Sequence, residues 1–310
     1  MGFRVVYLGN DAWSVPPMIA VATTPELDLT LVMTRTPRPG RRGAGPSPTP
    51  VAVTAREMGL HTAEVETVRG GDGLRRLREA EPDVLAVVAY GEILTPAVLE
   101  VPRTGAVNLH FSLLPRWRGA SPVQHALLAG DRETGVTTML LDEGLDTGPI
   151  LARQATSVEA DDDAGRLGQR LSEIGGALLA RTLTDLAAGR ATPTPQDDAA
   201  ATRAPKLTAA DRRIDWHEAA PAVLARVRAF APQPGASTTR AGRVLKILAA
   251  SETGGDGDPG TVIEVGEHWF DVAANAGAVR VLEVAPESRS RMDAGAWLRG
   301  ARLEIGERLG

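Results

Sequence analysis

DVLAVVA, residues 83–89, is an unbroken apolar run of strand length. A run that is continuous rather than alternating marks a strand covered on both faces, as in a parallel sheet flanked by helices. Working outward, residues 3–8 (FRVVYL), 27–33 (LDLTLVM), 106–110 (AVNLH) and 136–141 (VTTMLL) supply further strands. Helix-like segments fall between them at 16–22, 51–58, 74–79 and 121–128. This alternation predicts an α/β class. A long amphipathic helix is expected over 163–188, where Leu167, Leu171, Ile174, Leu178, Leu183 and Leu186 recur at threes and fours, with Asp161 and Asp162 as its caps. Gly175 and Gly176 in its middle each cost about 1 kcal/mol relative to alanine, which points to close packing there.

The stretch TRTPRPGRRGAGPSPTP, residues 34–50, reads as an irregular loop, and its length suggests a functional one. Residues 190–208 are polar, proline-bearing and without apolar period, so they read as a linker between a domain at 1–189 and a second at 209–310. After a helix at 218–230, the second domain offers short strands at 244–249, 261–265, 269–273 and 279–284 separated by Gly/Asp turns, a pattern expected of a small β-barrel or sandwich.

The chain has 310 residues, 43% of them hydrophobic, no cysteine and a net charge of −5. Absence of cysteine excludes disulfides, thiolate nucleophiles and cysteine-ligated metals, and fits a reducing cytoplasm. No apolar stretch is long enough to cross a bilayer, and MGFRVVYLGN lacks the pattern of a signal peptide, so a soluble cytoplasmic protein is expected. The negative charge argues against indiscriminate nucleic-acid binding but allows local basic surfaces. Residues 29–56 carry Arg35, Arg38, Arg41, Arg42 and Arg56 with no acid, and residues 101–130 carry Arg103, Arg116 and Arg118, again with none. Scattered solvated arginines would look the same.

Chemistry concentrates in NLHFSLLPRWRG (108–119) and DEGLDTG (142–148). Asn108 and His110 are two apart on a strand, so they share a face, and His110 stands at the strand exit where open α/β sheets bind ligands. Asp146, in a Gly-flanked loop after the next strand, can turn its carboxylate toward the imidazole and fix its tautomer. An amide donor for a developing oxyanion, an imidazole and an orienting carboxylate suffice for acyl transfer to an amine. A structural histidine satisfied at the strand end is the competing reading, as are ordinary loop roles for Asp142 and Glu143. The sequence has no Gly-x-Ser-x-Gly elbow, phosphate-cradling glycine loop with lysine, or dinucleotide glycines after the first strand. His61, His125, His217 and His268 lack metal-ligand spacing, and the acid run 161–163 reads better as a helix start than as a metal site. No metal is expected.

At these residues the chain resembles the folate-dependent formyltransferases, and within them the branch acting on aminoacyl-tRNA. SLLPRWRGA (112–120) matches the family's folate-loop pattern, and VVAYGEIL (87–94) resembles its pterin-lining segment. APKLTAADRRIDW (204–216), RAFAPQPGA (228–236) and RMDAGAWLRG (291–300) resemble the tRNA branch. The resemblance implies a Rossmann-like formyltransferase domain followed by a small OB-like β-barrel. It implies catalytic roles for Asn108, His110 and Asp146, and 10-formyltetrahydrofolate as co-substrate. Folate binding would fall to Val88, Ala89, Tyr90, Gly91, Ile93, Ser112, Leu113, Leu114, Pro115, Asp142 and Gly144. It further implies methionyl-initiator tRNA as partner, contacted by Arg35, Arg38, Arg41 and Arg42, and a monomer. A formyltransferase acting on a nucleotide-sugar amine, and a catalytically silent RNA-binding protein on the same two domains, are the rivals. The chain departs from the family at Gly9-Asn10-Asp11, where Gly-Thr-Pro is usual, and at Gly43-Ala44-Gly45.

Overall fold

A computed structural model describes residues 2–37 and 47–310. Its elements in chain order are β1 (Phe3–Gly9), α1 (Val15–Ala22), β2 (Leu27–Arg35), α2 (Pro50–Glu57), β3 (Thr62–Val65), α3 (Gly71–Glu79), β4 (Val84–Val88), α4 (Pro96–Leu99), β5 (Ala106–His110), α5 (Pro122–Leu128), β6 (Glu133–Leu140), β7 (Ile150–Ser157) and α6 (Ala164–Ala187). There follow α7 (Ala220–Phe230), β8 (Ala236–Arg240), β9 (Arg243–Thr253), β10 (Val262–Val265), β11 (Phe270–Ala273), β12 (Ala278–Pro286), β13 (Met292–Asp293) and α8 (Ala294–Ala301). The described chain divides into two compact units. The first holds the stretch up to Pro122 with Glu133–Ser157 and Gly168–Pro205, and the second holds Val123–Arg132, Val158–Leu167 and Lys206–Gly310.

The first unit is built on a seven-stranded sheet of order β3-β2-β1-β4-β5-β6-β7. The pairs from β3 to β5 are parallel. β4, within the continuous apolar run at 83–89, is buried along its whole length, as expected of a central strand with both faces covered. At the other end of the sheet β6 and β7 join antiparallel. β7 (ILARQATS) escaped the sequence reading for a physical reason: most of its residues are exposed or half-buried, so it carries no apolar run. β3, of four residues, is similarly silent.

In α6 the glycines do what their position required. A Cβ on Gly175 would stand 2.7 Å from Leu109 Cδ2, and one on Gly176 would stand 3.2 Å from the Pro16 carbonyl oxygen. Close approach of helix to sheet therefore outweighs the lost helix propensity. The start of α6 departs from expectation: Asp163 Oδ1 accepts from Arg166 N at 2.8 Å, in the manner of an N-cap, whereas buried Asp162 accepts from Glu159 N at 2.8 Å.

The second unit contains a six-stranded, antiparallel sheet of order β10-β11-β12-β9-β8, with β13 paired to β12. Its core includes Leu245, Ile247, Val262, Phe270, Val272, Val279, Val281 and Val284. Four of its strands follow the short apolar runs of the sequence. β8 and β13 do not, the first being polar and the second very short.

Directly after β1, Asp11 Oδ1 accepts from the Ser14 backbone N–H and hydroxyl, both at 3.1 Å, and caps a single 3-10 turn over Ala12–Ser14. Burial nevertheless holds this carboxyl above its ordinary pKa. A carboxyl that binds its proton more tightly when folded contributes stability below the unfolded-state pKa and loses it as pH rises through the folded value. Asp11→Asn keeps the Oδ1 acceptor and removes the buried charge. The variant is expected to melt higher than the parent at neutral pH, with the difference vanishing in acid, as followed by melting temperature against pH.

Candidate active site

In an open parallel sheet the ligand crevice lies beyond the strand C-termini where the strand order reverses. Here β1 lies between β2 and β4, so that point falls after Gly9 and Val88. Asn10 spans it. Its Oδ1 accepts from Arg35 N at 2.8 Å and from the Thr34 hydroxyl at 3.0 Å, while its Nδ2 donates to the Tyr90 carbonyl. One carboxamide thus ties the ends of β1, β2 and β4, and only the orientation with oxygen toward the two donors satisfies all three partners.

β5 places Asn108 and His110 on one face, beside the antiparallel β6, where His110 lies opposite Thr137. His110 is buried. Its Nε2 lies 2.9 Å from the Trp117 carbonyl, which fixes the neutral ring's proton on Nε2, and its Nδ1 faces Asp146 Oδ2 at 3.7 Å. The same Asp146 oxygen accepts from Gly119 N at 2.8 Å. The ring therefore donates to a substrate oxygen only by exchanging one of these two partners, and the Nδ1 contact is the looser. Trp117 and Asp146 both have left-handed backbones, with φ of 63° and 53°. Strained conformations of this kind persist where surrounding bonds over-determine them. The structure thus brings His110 and Asp146 together and sets Asn108 on the same strand face.

The loop after β5 is held from below. Buried Thr137 donates to the Ser112 carbonyl at 2.7 Å and accepts from Leu114 N at 3.1 Å, and the Ser112 hydroxyl donates to the Arg116 carbonyl at 2.6 Å. The sequence carried no signal for Thr137. The other loop is shaped by Asp142, whose Oδ1 accepts from Gly144 N at 3.0 Å and from the Thr147 hydroxyl at 2.7 Å.

Among the expected folate contacts, Val88, Tyr90, Ser112 and Leu114 are buried. Burial and the Glu92 carboxylate hold the Tyr90 phenol above its ordinary pKa. Ala89 and Gly91 have φ of 43° and 76°, and open space adjoins Gly91 where a Cβ would stand. Ile93 is 73% exposed. A turn of left-handed residues with free space beside it fits the approach of a flat ring to backbone groups. Arg35 ends β2, its guanidinium 3.7 Å from Glu92. Arg38, Arg41 and Arg42 lie outside the described residues. No group of three or more His, Asp or Glu side chains that could hold a metal occurs among the described residues.

The formyl transferase family matches residues 5–183, and the formyl transferase C-terminal domain matches residues 206–302. The chain is 42% identical over 309 residues to a methionyl-tRNA formyltransferase of Halorhodospira halophila, covering 99% of each chain. It is 39% identical to that of Geobacter metallireducens, covering 100% of this chain and 99% of the relative. In structure it resembles HypX from Aquifex aeolicus in complex with tetrahydrofolic acid, with a TM-score of 0.68, 19% identity, and 99% of this chain against 49% of that one. It also resembles an N-formyltransferase from Helicobacter canadensis in complex with folinic acid and dTDP-3-aminofucose, with a TM-score of 0.67, 15% identity, and 91% against 98% coverage. At such identities these two structures speak to the fold.

Proposed function

This chain belongs to the formyl transferase family, and from that premise we propose that it transfers a formyl group from 10-formyltetrahydrofolate to the α-amino group of methionyl-initiator tRNA. Relatives 39% and 42% identical over 309 residues are named methionyl-tRNA formyltransferases, which supports this reading. The observation that carries the chemistry is the apposition of His110 and Asp146 at the exit of β5, on the strand whose same face holds Asn108.

The co-substrate supplies the formyl carbonyl, whose carbon bonds to the amine as its bond to the folate nitrogen breaks. The Asn108 carboxamide and protonated His110 donate toward the carbonyl oxygen as its charge develops. Asp146 orients the ring and receives, through water, the proton that the amine loses, and that proton is returned to the folate nitrogen as it leaves. Folate is held by Val88, Ala89, Tyr90, Gly91, Ile93, Ser112, Leu113, Leu114 and Pro115, together with Asp142 and Gly144. Arg35, Arg38, Arg41 and Arg42 contact tRNA phosphates, for which the planar guanidinium fork is suited.

The finer architecture belongs to the same reading. The domain limits are 1–189, 190–208 and 209–310, and the second sheet forms an OB-like barrel that itself binds tRNA. The enzyme is a cytoplasmic monomer. Among the described residues no helix is long and apolar enough to cross a membrane.

The purified chain, supplied with 10-formyltetrahydrofolate, is expected to yield N-formylmethionine from charged initiator tRNA, with amino-sugar nucleotides failing as competing acceptors. Formylation of the small amine alone would overturn the proposed acceptor. Light scattering is expected to give the mass of one chain.

A further inference from the structure

Residues 190–205 read as a spacer in the sequence, yet they make specific bonds to both catalytic loops. Thr194 exchanges two backbone hydrogen bonds with Ile150, Ile150 N to Thr194 O at 2.7 Å and Thr194 N to Ile150 O at 2.8 Å. Farther on, Arg118 N donates to the Thr202 carbonyl at 2.9 Å, Ala204 N donates to the Arg118 carbonyl at 2.7 Å, and Trp117 N donates to the Thr202 hydroxyl at 2.9 Å. Between these two attachments stands Gln196.

The Gln196 side chain is saturated by the two loops. Its Nε2 donates to the carbonyls of Asp146, at 2.9 Å, and Gly148, at 2.8 Å. Its Oε1 accepts from Arg118 Nε at 3.0 Å. Arg118 is itself buried, and its Nη2 donates to Asp198 Oδ1 at 2.8 Å. A single carboxamide therefore joins the loop that supplies Asp146 to the loop that supplies Trp117 O and Gly119 N, the two backbone groups that bound the His110 and Asp146 pair. Asp146 is also the residue whose left-handed φ needs external support.

We infer that Gln196 is a positioning residue for formyl transfer, acting through Asp146: it pins the Asp146 carbonyl and the Arg118 side chain to each other so that the Asp146 carboxylate stays on His110. The inference rests on the reading of the site given above. Glutamine suits the place because it presents two donors to two carbonyls and one acceptor to a guanidinium. Glutamate would keep the bond from Arg118 and turn an acceptor toward the carbonyls of Asp146 and Gly148.

That asymmetry supplies the test. Gln196→Ala and Gln196→Glu are both expected to lower kcat, by up to about 10²-fold for a displacement near 1 Å, with the KM of each substrate within about threefold of the parent (a threefold change being an order-of-magnitude bound). In an Asp146→Asn background the same substitutions are expected to change kcat little, because the group they position has lost its charge. Nitrogen-15 histidine NMR gives a readout independent of turnover: the His110 ring signals are expected to move in both variants. Backbone pairing at Thr194 and Thr202 keeps the segment attached, and thermal melting of Gln196→Glu checks this. A Gln196→Glu variant with parental kcat and parental His110 signals would overturn the inference, as would effects that multiply in full with Asp146→Asn. An inactive parent would instead refute the proposed function, and the NMR comparison would still decide the role of Gln196.

Discussion

Asn108→Ala is expected to fold as the parent does and to lose about 10²–10³-fold in kcat, the usual effect of deleting one donor from an oxyanion site. Asn108 is only half-buried on β5, so truncation is expected to leave the sheet intact. His110→Ala should cost at least as much, since it removes the ring that Trp117 O and Asp146 both hold. Asp146→Asn is the more informative change. Asparagine keeps an oxygen for the Gly119 N–H and removes the charge that faces His110 Nδ1, so a loss of about 10²-fold would isolate the electrostatic part of the arrangement. Because the three act as a unit, losses in double variants should fall well short of the product of single losses. Single-turnover formylation of charged tRNA, with circular dichroism for folding, measures all of this. Near-parental turnover by any one variant would remove that residue from the mechanism.

The residues just discussed were legible in the sequence because their spacing is dictated locally. Period two on a strand puts Asn108 and His110 on one face, and a Gly-flanked acid after the next strand has a short path back to it. β4 announced itself through continuous burial, and α6 through its leucine period. What the sequence left dark is held by polar side chains bonding across long chain separations. Asn10 reaches Tyr90, Thr137 reaches Ser112, and Gln196 reaches Asp146 and Arg118. None has a periodicity, because a buried polar bond depends on where two distant backbones meet and not on its neighbours in sequence. The departure from Gly-Thr-Pro after β1 shows the same limit: Asn10 looked like a loss of family pattern, and the structure makes it the tie between three strand ends. The edge strand β7 was equally hidden, since an edge strand with an exposed face carries little hydrophobic signal.

Gly148→Ala is expected to be the most disruptive small substitution in the site. A Cβ there would stand 1.8 Å from the Leu140 carbonyl oxygen and 3.5 Å from Asp142 N. The obstacle is backbone, and it is backbone already fixed by the Leu140 N to Pro149 O bond of 3.0 Å that begins the β6 and β7 pairing. Neither partner can rotate away, as a side chain could. At Gly144 the corresponding obstacle is the Thr147 hydroxyl, 1.9 Å from the added carbon, which a rotamer change can clear at the loss of one bond to Asp142. Gly144→Ala should therefore cost about 1 kcal/mol, the worth of a hydrogen bond, and Gly148→Ala about 3 kcal/mol, the upper range for overpacking. By the usual conversion the latter lowers the melting temperature by roughly 6–12 °C. Activity should fall with it, because relief of the clash moves the Gly148 carbonyl off Gln196 Nε2 and carries Asp146 along. Melting curves and formylation rates of the two alanine variants test the distinction. Equal melting temperatures for both would mean that the loop yields at Gly148 as readily as at Gly144, and that the rigid backbone contact does not hold Asp146 in place.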